Sequence, residues 1–328
     1  MFCPRLNHFV RLNPSGSVGR CGHMVDGKDF ASFSELEDSE WLDKIKRTME
    51  KGQWPSECVR CQTAENIGNK SIRQNSIDRH RLLHPMNNDY LILGGVLDNV
   101  CNSACQTCNA GLSTKIGSLS SKHYTRIDNF HRLRHLPLER VVELDINGGE
   151  PTASKNYKQL LSDLPTGIKI VRMNTNGSRI LPEIEKVLEK DVSMLITISL
   201  DGLGDEHDYI RWPIKWKDVI RTIEYYKKLQ EKYRNLQIDF WTTVSCLNVG
   251  SLPTIEKFAQ QNAIPHAWAF LNKPNILNVK YKNRFTEKAK HISPMHVATG
   301  EDNSRQLDIF IKDQDLLRGI DIKDYFNF

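Results

Sequence analysis

The feature that most constrains this chain is an alternation that begins near residue 86. Six short runs rich in β-branched and large apolar residues lie at 90–97, 141–146, 169–174, 194–200, 237–244 and 266–271. Stretches with helical spacing separate them, clearest at 157–164, 182–190, 217–233 and 252–261. Strands joined through helices run parallel, with right-handed connections. The expected fold class is therefore α/β, with an open or partly closed barrel of six βα units over residues 86–280. Chemistry in such folds gathers at the C-terminal ends of the strands.

The flanks read differently. Residues 1–85 are polar and hold four cysteines. The run 8–12, the turn 13–17 and Val18 read as a strand, a turn and a returning strand. Residues 33–51 show helical spacing with a charged face. Large apolar residues are scarce in this region, so a metal cross-link would stabilise it as a small module. Residues 281–328 form a polar extension with an amphipathic helix at 307–318, and its closing aromatics are expected to pack on the body.

Composition excludes several classes. Of the 328 residues, 39% are hydrophobic and 26% charged, which suits a packed core under a solvated surface. No apolar run is long enough to span a membrane, and the N-terminus lacks the pattern of a secretory signal, so a cytoplasmic chain is expected. A net charge of +5 with no basic block argues against a nucleic-acid partner. Eight cysteines in such a chain point to metal or catalysis rather than disulfides.

Their grouping is more telling. Cys101, Cys105 and Cys108 follow the first strand of the alternation, in a strand-end loop. Three thiolates on so short a loop can cap three irons of a four-iron cluster and leave the fourth iron open to an amine and a carboxylate. Zinc is the alternative, with His123 as a distant fourth ligand. The later strand ends are polar too. Gly148, Gly149 and Glu150 end the second, where glycines permit close approach and Glu150 offers a carboxylate to an ammonium group. Asn176 and Gly177 end the third. Ser199 and Asp201 end the fourth and could hold ribose hydroxyls, although Asp201 is equally suited to capping a turn. Arg211 suits a bidentate grip on a carboxylate or a surface ion pair. Thr242, Thr243, Ser245 and Asn248 make the fifth strand end polar and are expected to line the cavity.

The C-x-x-x-C-x-x-C spacing, the Gly-Gly-Glu-Pro run and the Thr-Asn-Gly run, in that order at successive strand ends, resemble the radical S-adenosylmethionine (SAM) superfamily over about residues 90–275. The resemblance implies a catalytic 4Fe–4S cluster on Cys101, Cys105 and Cys108. It implies that Gly148, Gly149, Glu150, Asn176, Ser199, Asp201 and Arg211 surround SAM. Thr107 departs from the bulky residue usual before the last cysteine, which implies weaker packing near the adenine.

Cys3 and Cys21 flank the N-terminal hairpin, and Cys58 and Cys61 form a C-x-x-C pair. Four thiolates can close a zinc site or a second cluster. The C-x(12)-G-x(4)-C spacing, with Trp54, Glu65, Gly68, Ser71 and Arg73, resembles twitch and SPASM modules, which implies an auxiliary 4Fe–4S cluster. The resemblance as a whole implies an enzyme that cleaves SAM reductively to a 5′-deoxyadenosyl radical. That radical would take hydrogen from a peptide, a protein side chain or a small molecule, with flavodoxin or ferredoxin as electron donor. Glu206, His207, Tyr209 and Cys246 are the candidate acids or bases, although Cys246 is better suited to a small buried apolar role on the fifth strand. A zinc-binding interaction protein and an RNA-modifying member of the same superfamily are the rival readings.

Overall fold

Each of the six expected strands forms, within one residue of its expected bounds at either end. The computed structural model describes residues 1–83, 89–119, 124–279 and 303–326. Its chain divides into two units, Met1–Asp98 with Ile127–Gly148 and Asp163–Arg172, and Asn99–Arg126 with Gly149–Ser162 and Met173–Phe328.

The first unit opens with helix α1 (Pro4–His8), begun by a proline whose fixed φ suits the first helical position. His8 therefore ends a helix rather than starting a strand. Strand β1 (Phe9–Leu12) and β2 (Val18–Gly19) form the expected antiparallel hairpin. β1 also pairs in parallel with β3 (Leu91–Val96), from Phe9 opposite Ile92 to Leu12 opposite Gly95. The pairing follows from apolar content, because Phe9, Val10 and Leu12 are all buried. Between β2 and β3 lie α2 (Phe33–Glu37), α3 (Glu40–Glu50), α4 (Val59–Asn66) and α5 (Ile72–Leu83). The continuous helix expected over 33–51 is thus broken in two. Ser39 breaks it, since its hydroxyl accepts from Leu42 N at 3.2 Å and donates to Leu36 O at 2.8 Å. Helix α4 buries no residue, so it carries no apolar stripe for sequence reading to detect.

β3 pairs in parallel with β4 (Val141–Asn147), and β4 with the start of β5 (Ile170–Thr175), giving the order β2-β1-β3-β4-β5. Glu143, fully buried on β4, is met by Arg79 from α5 and by Arg172 Nε at 2.8 Å. Two guanidiniums offset the desolvation of that carboxylate.

The second unit holds α6 (Thr114–Leu119), α7 (Lys155–Ser162), α8 (Glu183–Leu188) and the parallel strands β6 (Ser193–Ser199), β7 (Leu236–Val244) and β8 (His266–Phe270). Helices α9 (Gly204–Ile210), α10 (Trp216–Lys232), α11 (Leu252–Gln261) and α12 (Ser304–Arg318) complete it. Along β7 burial alternates, with Leu236, Ile238, Phe240, Thr242 and Val244 inward. The period of two places Gln237, Asp239, Trp241 and Thr243 on the other face. One core cluster joins Tyr209, Val244, Cys246, Leu307, Ile311 and Ile322. Cys246 is thus a buried apolar residue, and the closing aromatics do pack back, with the Tyr325 and Phe326 rings each 5.6 Å from Tyr209. Among the described residues, no helix is long and apolar enough to cross a membrane.

Candidate active site

The cysteine loop is held from within. Asn99 donates to Thr125 O at 2.9 Å, and Thr114 N donates to Asn99 O at 3.0 Å. Ser113 Oγ donates to Ser103 O at 2.6 Å, and Cys101 N donates to Thr114 Oγ1 at 3.1 Å. On the other flank Ala104 N reaches Trp212 O at 2.6 Å and Gln106 N reaches Ile210 O at 2.8 Å. The loop is therefore a fixed platform rather than a loose connection.

On that platform Ser103 Oγ lies 3.3 Å from Cys101 Sγ and 3.4 Å from Cys105 Sγ. Burial pushes the Cys101 thiol up and the Cys108 thiol up to about 12, the neighbouring Cys105 adding to both. Metal loading would have to expel those protons, as thiolate coordination requires. Among the described residues no group of three or more Cys, His, Asp or Glu side chains is arranged to hold a single metal ion. His123 lies outside the described residues. Three thiols converging on one loop are a donor set that fits an iron–sulfur cluster.

Gly148 and Gly149 have φ of +138° and +20°. A Cβ on Gly148 would sit 2.3 Å from Asp98 O, and one on Gly149 would sit 2.0 Å from Val100 O. The chain itself, at the entry to the cysteine loop, makes this close approach. Glu150 is buried, and its carboxylate accepts from Thr152 N at 3.0 Å, Thr152 Oγ1 at 2.7 Å, Thr175 Oγ1 at 2.7 Å and Asn176 N at 2.6 Å. Asn176 Nδ2 in turn donates to Asn102 Oδ1 at 2.9 Å, and Asn102 Nδ2 to Ser178 Oγ at 3.0 Å. The Gly-Gly-Glu-Pro run, the β5 end and the cysteine loop thus share one hydrogen-bond network. Asn102 and Thr152 were invisible as participants in the sequence, since neither belongs to a recurrent pattern.

Asp201 and Arg211 form a second pair. Arg211 Nη2 lies 2.8 Å from Asp201 Oδ2, while Asp201 Oδ1 accepts from Thr243 N at 2.8 Å. Arg211 Nη1 is 3.9 Å from Cys105 Sγ, and its buried Nε has no partner among the described residues. That donor, beside the Cys105 thiol, fits an anionic group. Ser199 ends β6 half-buried, opposite Trp241. At the polar end of β7, Thr242, Ser245 and Asn248 are spent on the backbone around Asp201. They are buried, Thr242 donating to Leu200 O and Asn248 Nδ2 to Asp201 O at 2.9 Å, so their polarity braces the Asp201 turn. Of the candidate acids and bases, Glu206 is pushed up to about 7 by burial, against a donation from Ser251. His207 is fully buried and held below its ordinary value by desolvation.

Within the first unit Cys3, Cys21, Cys58 and Cys61 line one cavity, with His23 and Arg73. Burial pushes Cys3 up to about 11 and Cys58 up to about 12, with the other thiols of the set adding. Glu65, Ser71 and Arg73 form the corner beside it. Arg73 Nε and Nη2 grip the Glu65 carboxylate at 2.9 and 2.6 Å, and Ser71 donates to the same group.

The cysteine loop lies inside a stretch that matches a known family. The model of the Radical SAM superfamily matches residues 97–238. GTP 3′,8-cyclase of Mannheimia succiniciproducens is 26% identical over 160 residues, 47% of this chain and 46% of that protein. Mycofactocin maturase MftC of Mycobacterium ulcerans is 31% identical over 132 residues, 39% of this chain and 34% of that protein. The chain therefore spans less than half the length of these curated relatives. The crystal structure of Streptococcus suis SuiB bound to precursor peptide SuiA aligns with a TM-score of 0.43 and 16% identity, covering 96% of this chain and 70% of that one. Over residues 97–238, from the end of β3 into β7, the chain carries a radical SAM domain.

Proposed function

We propose that this chain is a radical SAM enzyme that modifies a peptide. The observation that carries the reading is the fixed loop on which Ser103 sits between the sulfurs of Cys101 and Cys105, with Cys108 close by. Cys101, Cys105 and Cys108 would hold a 4Fe–4S cluster. The chemistry such a cluster would supply when bound is the one-electron reduction that splits SAM into methionine and a 5′-deoxyadenosyl radical, which would take hydrogen from substrate. The Arg211 guanidinium, with Nε unspent, would take the SAM carboxylate. Glu150, Asn176, Gly148 and Gly149 would shape the methionine side, and Ser199 and Asp201 the ribose side. Asp201 orients Arg211 through their ion pair.

The maturase relative supports a peptide substrate over the small molecule that the cyclase relative suggests. The N-terminal module of residues 1–85 would carry an auxiliary cluster on Cys3, Cys21, Cys58 and Cys61, a reading supported by their shared cavity. Residues 86–280 would be the partial barrel and 281–328 its extension. The reaction would draw one electron from a carrier such as flavodoxin or ferredoxin, in the cytoplasm.

Anaerobic reconstitution with iron and sulfide tests this. Wild type should bind about eight irons per chain, and the Cys101/Cys105/Cys108→Ala variant about four. Dithionite-reduced wild type, but not the variant, should form 5′-deoxyadenosine from SAM. Four irons with cleavage would remove the auxiliary cluster. An iron-loaded wild type that leaves SAM intact would overturn the enzyme reading.

A further inference from the structure

We propose that Arg318, at the end of the C-terminal helix, is a positioning residue that clamps the cysteine loop from outside the radical SAM motifs and sets its charge. The proposal rests on the reading that Cys101, Cys105 and Cys108 hold a cluster.

Helix α12 stops at Gly319, whose φ of +67° lets Ile320 N reach back to Asp315 O at 3.0 Å. The reversed chain then brings Ile322 N to Asp315 Oδ2 at 2.9 Å, while Tyr209 of α9 donates to Asp315 Oδ1 at 2.8 Å. The helix end is thereby pinned to α9. From that pinned end Arg318 aims both Nε and Nη2 at the carbonyl of Ala104, at 3.0 and 2.9 Å. Its Nη1 is spent on Gln314, reaching the backbone oxygen at 3.1 Å. Ala104 is fully buried, between Cys101 and Cys105, and its own N–H goes to Trp212 O. One residue of the ligand loop is thus gripped at its N–H by the segment after α9 and at its C=O by α12.

A buried arginine is a costly way to satisfy one carbonyl, since the charge must be desolvated. A neutral donor would serve if holding the loop were the whole task. Arg318 is 7% exposed, and the carbonyl it grips is bonded to the Cys105 nitrogen, so its charge sits beside the backbone of that cysteine. Arg211 approaches the sulfur of the same residue. Positive charge beside thiolates favours the more negative, reduced state of a bound cluster. Arg318 therefore acts twice, through geometry on the loop and through charge on the ease of reduction.

The test uses the full chain with three variants. In the metal-free protein, hydrogen exchange at Ala104 and Gln106 should be about tenfold faster in Arg318→Gln than in wild type, with the β6–β7 pairing unchanged. In the reconstituted protein, the midpoint potential followed by electron paramagnetic resonance should fall in Arg318→Gln. It should stay near wild type in Arg318→Lys, which keeps the charge and loses the fork. Should Arg318→Gln fail to fold, Tyr209→Phe loosens the same pin more gently, and faster exchange at Ala104 would support the clamp. Wild-type exchange in whichever of these variants folds would overturn the clamp, and an unchanged potential would overturn the charge role. A wild type that binds no iron would overturn the cluster reading and the charge role with it, while the exchange measurement would still decide the clamp.

Discussion

Arg211 and Asp201 meet at 2.8 Å, and Asp201 is fully buried. Its other carboxylate oxygen is held by the Thr243 N–H. Arg211 is therefore a counter-charge as well as a candidate ligand-binding group. The Arg211→Met variant strands a buried carboxylate, which costs about 3–5 kcal/mol. Urea unfolding should show that loss in Arg211→Met. The double variant with Asp201→Asn should recover part of it, because the two effects are coupled.

Glu150 faces four donors, three on one oxygen and Asn176 N on the other. An amide cannot match them in either orientation, since its NH2 must oppose an N–H or a hydroxyl. Glu150→Gln should destabilise by about 2 kcal/mol, as a lost charged hydrogen bond does. The change should appear as a lower urea midpoint with an unchanged slope.

Gly149 has no room for a methyl group. Gly149→Ala brings a Cβ to within 2.0 Å of the Val100 carbonyl, a backbone atom next to Cys101. The loop must shift, at a cost of about 1–3 kcal/mol. Iron loading of the reconstituted variant, measured per chain, should fall below that of wild type. Loading equal to wild type would show that the entry to the loop tolerates displacement.

Glu206 gives stability a pH dependence. Its pKa rises from 4.5 to about 7 on folding, mainly through burial. The folded chain then holds a proton that the unfolded chain releases, so stability falls as pH rises from about 4.5 to about 7. The linked loss is of the order of 3 kcal/mol. Chemical denaturation across that window should show the slope in wild type, and Glu206→Gln should flatten it.

Much of this was legible along the chain because it is local. The strands announce themselves by apolar runs with a period of two, and α11 by an apolar face that matches 252–261 residue for residue. Helices α4 and α5 were missed because they lack a strong apolar stripe, and the break in the 33–51 helix turned on a single capping serine. The polar end of β7 carries a second duty that its composition does not announce. Thr242 and Asn248 look like cavity residues, and they serve the buried carbonyls of Leu200 and Asp201. Composition cannot tell a polar group facing a ligand from one satisfying the backbone.

The sequence by itself determined the order of strands and helices and the spacing of three cysteines on one loop. Both depend on residues close together in the chain, where periodicity and reach are set by covalent geometry. Only the tertiary structure decided which groups neutralise one another. Glu150 meets Asn176 across 26 residues, Tyr209 meets Asp315 across 106, and Arg318 reaches the Ala104 carbonyl across 214. Burial forces every such polar group to find a partner, and the partner is whichever donor or acceptor the packed elements bring within about 3 Å.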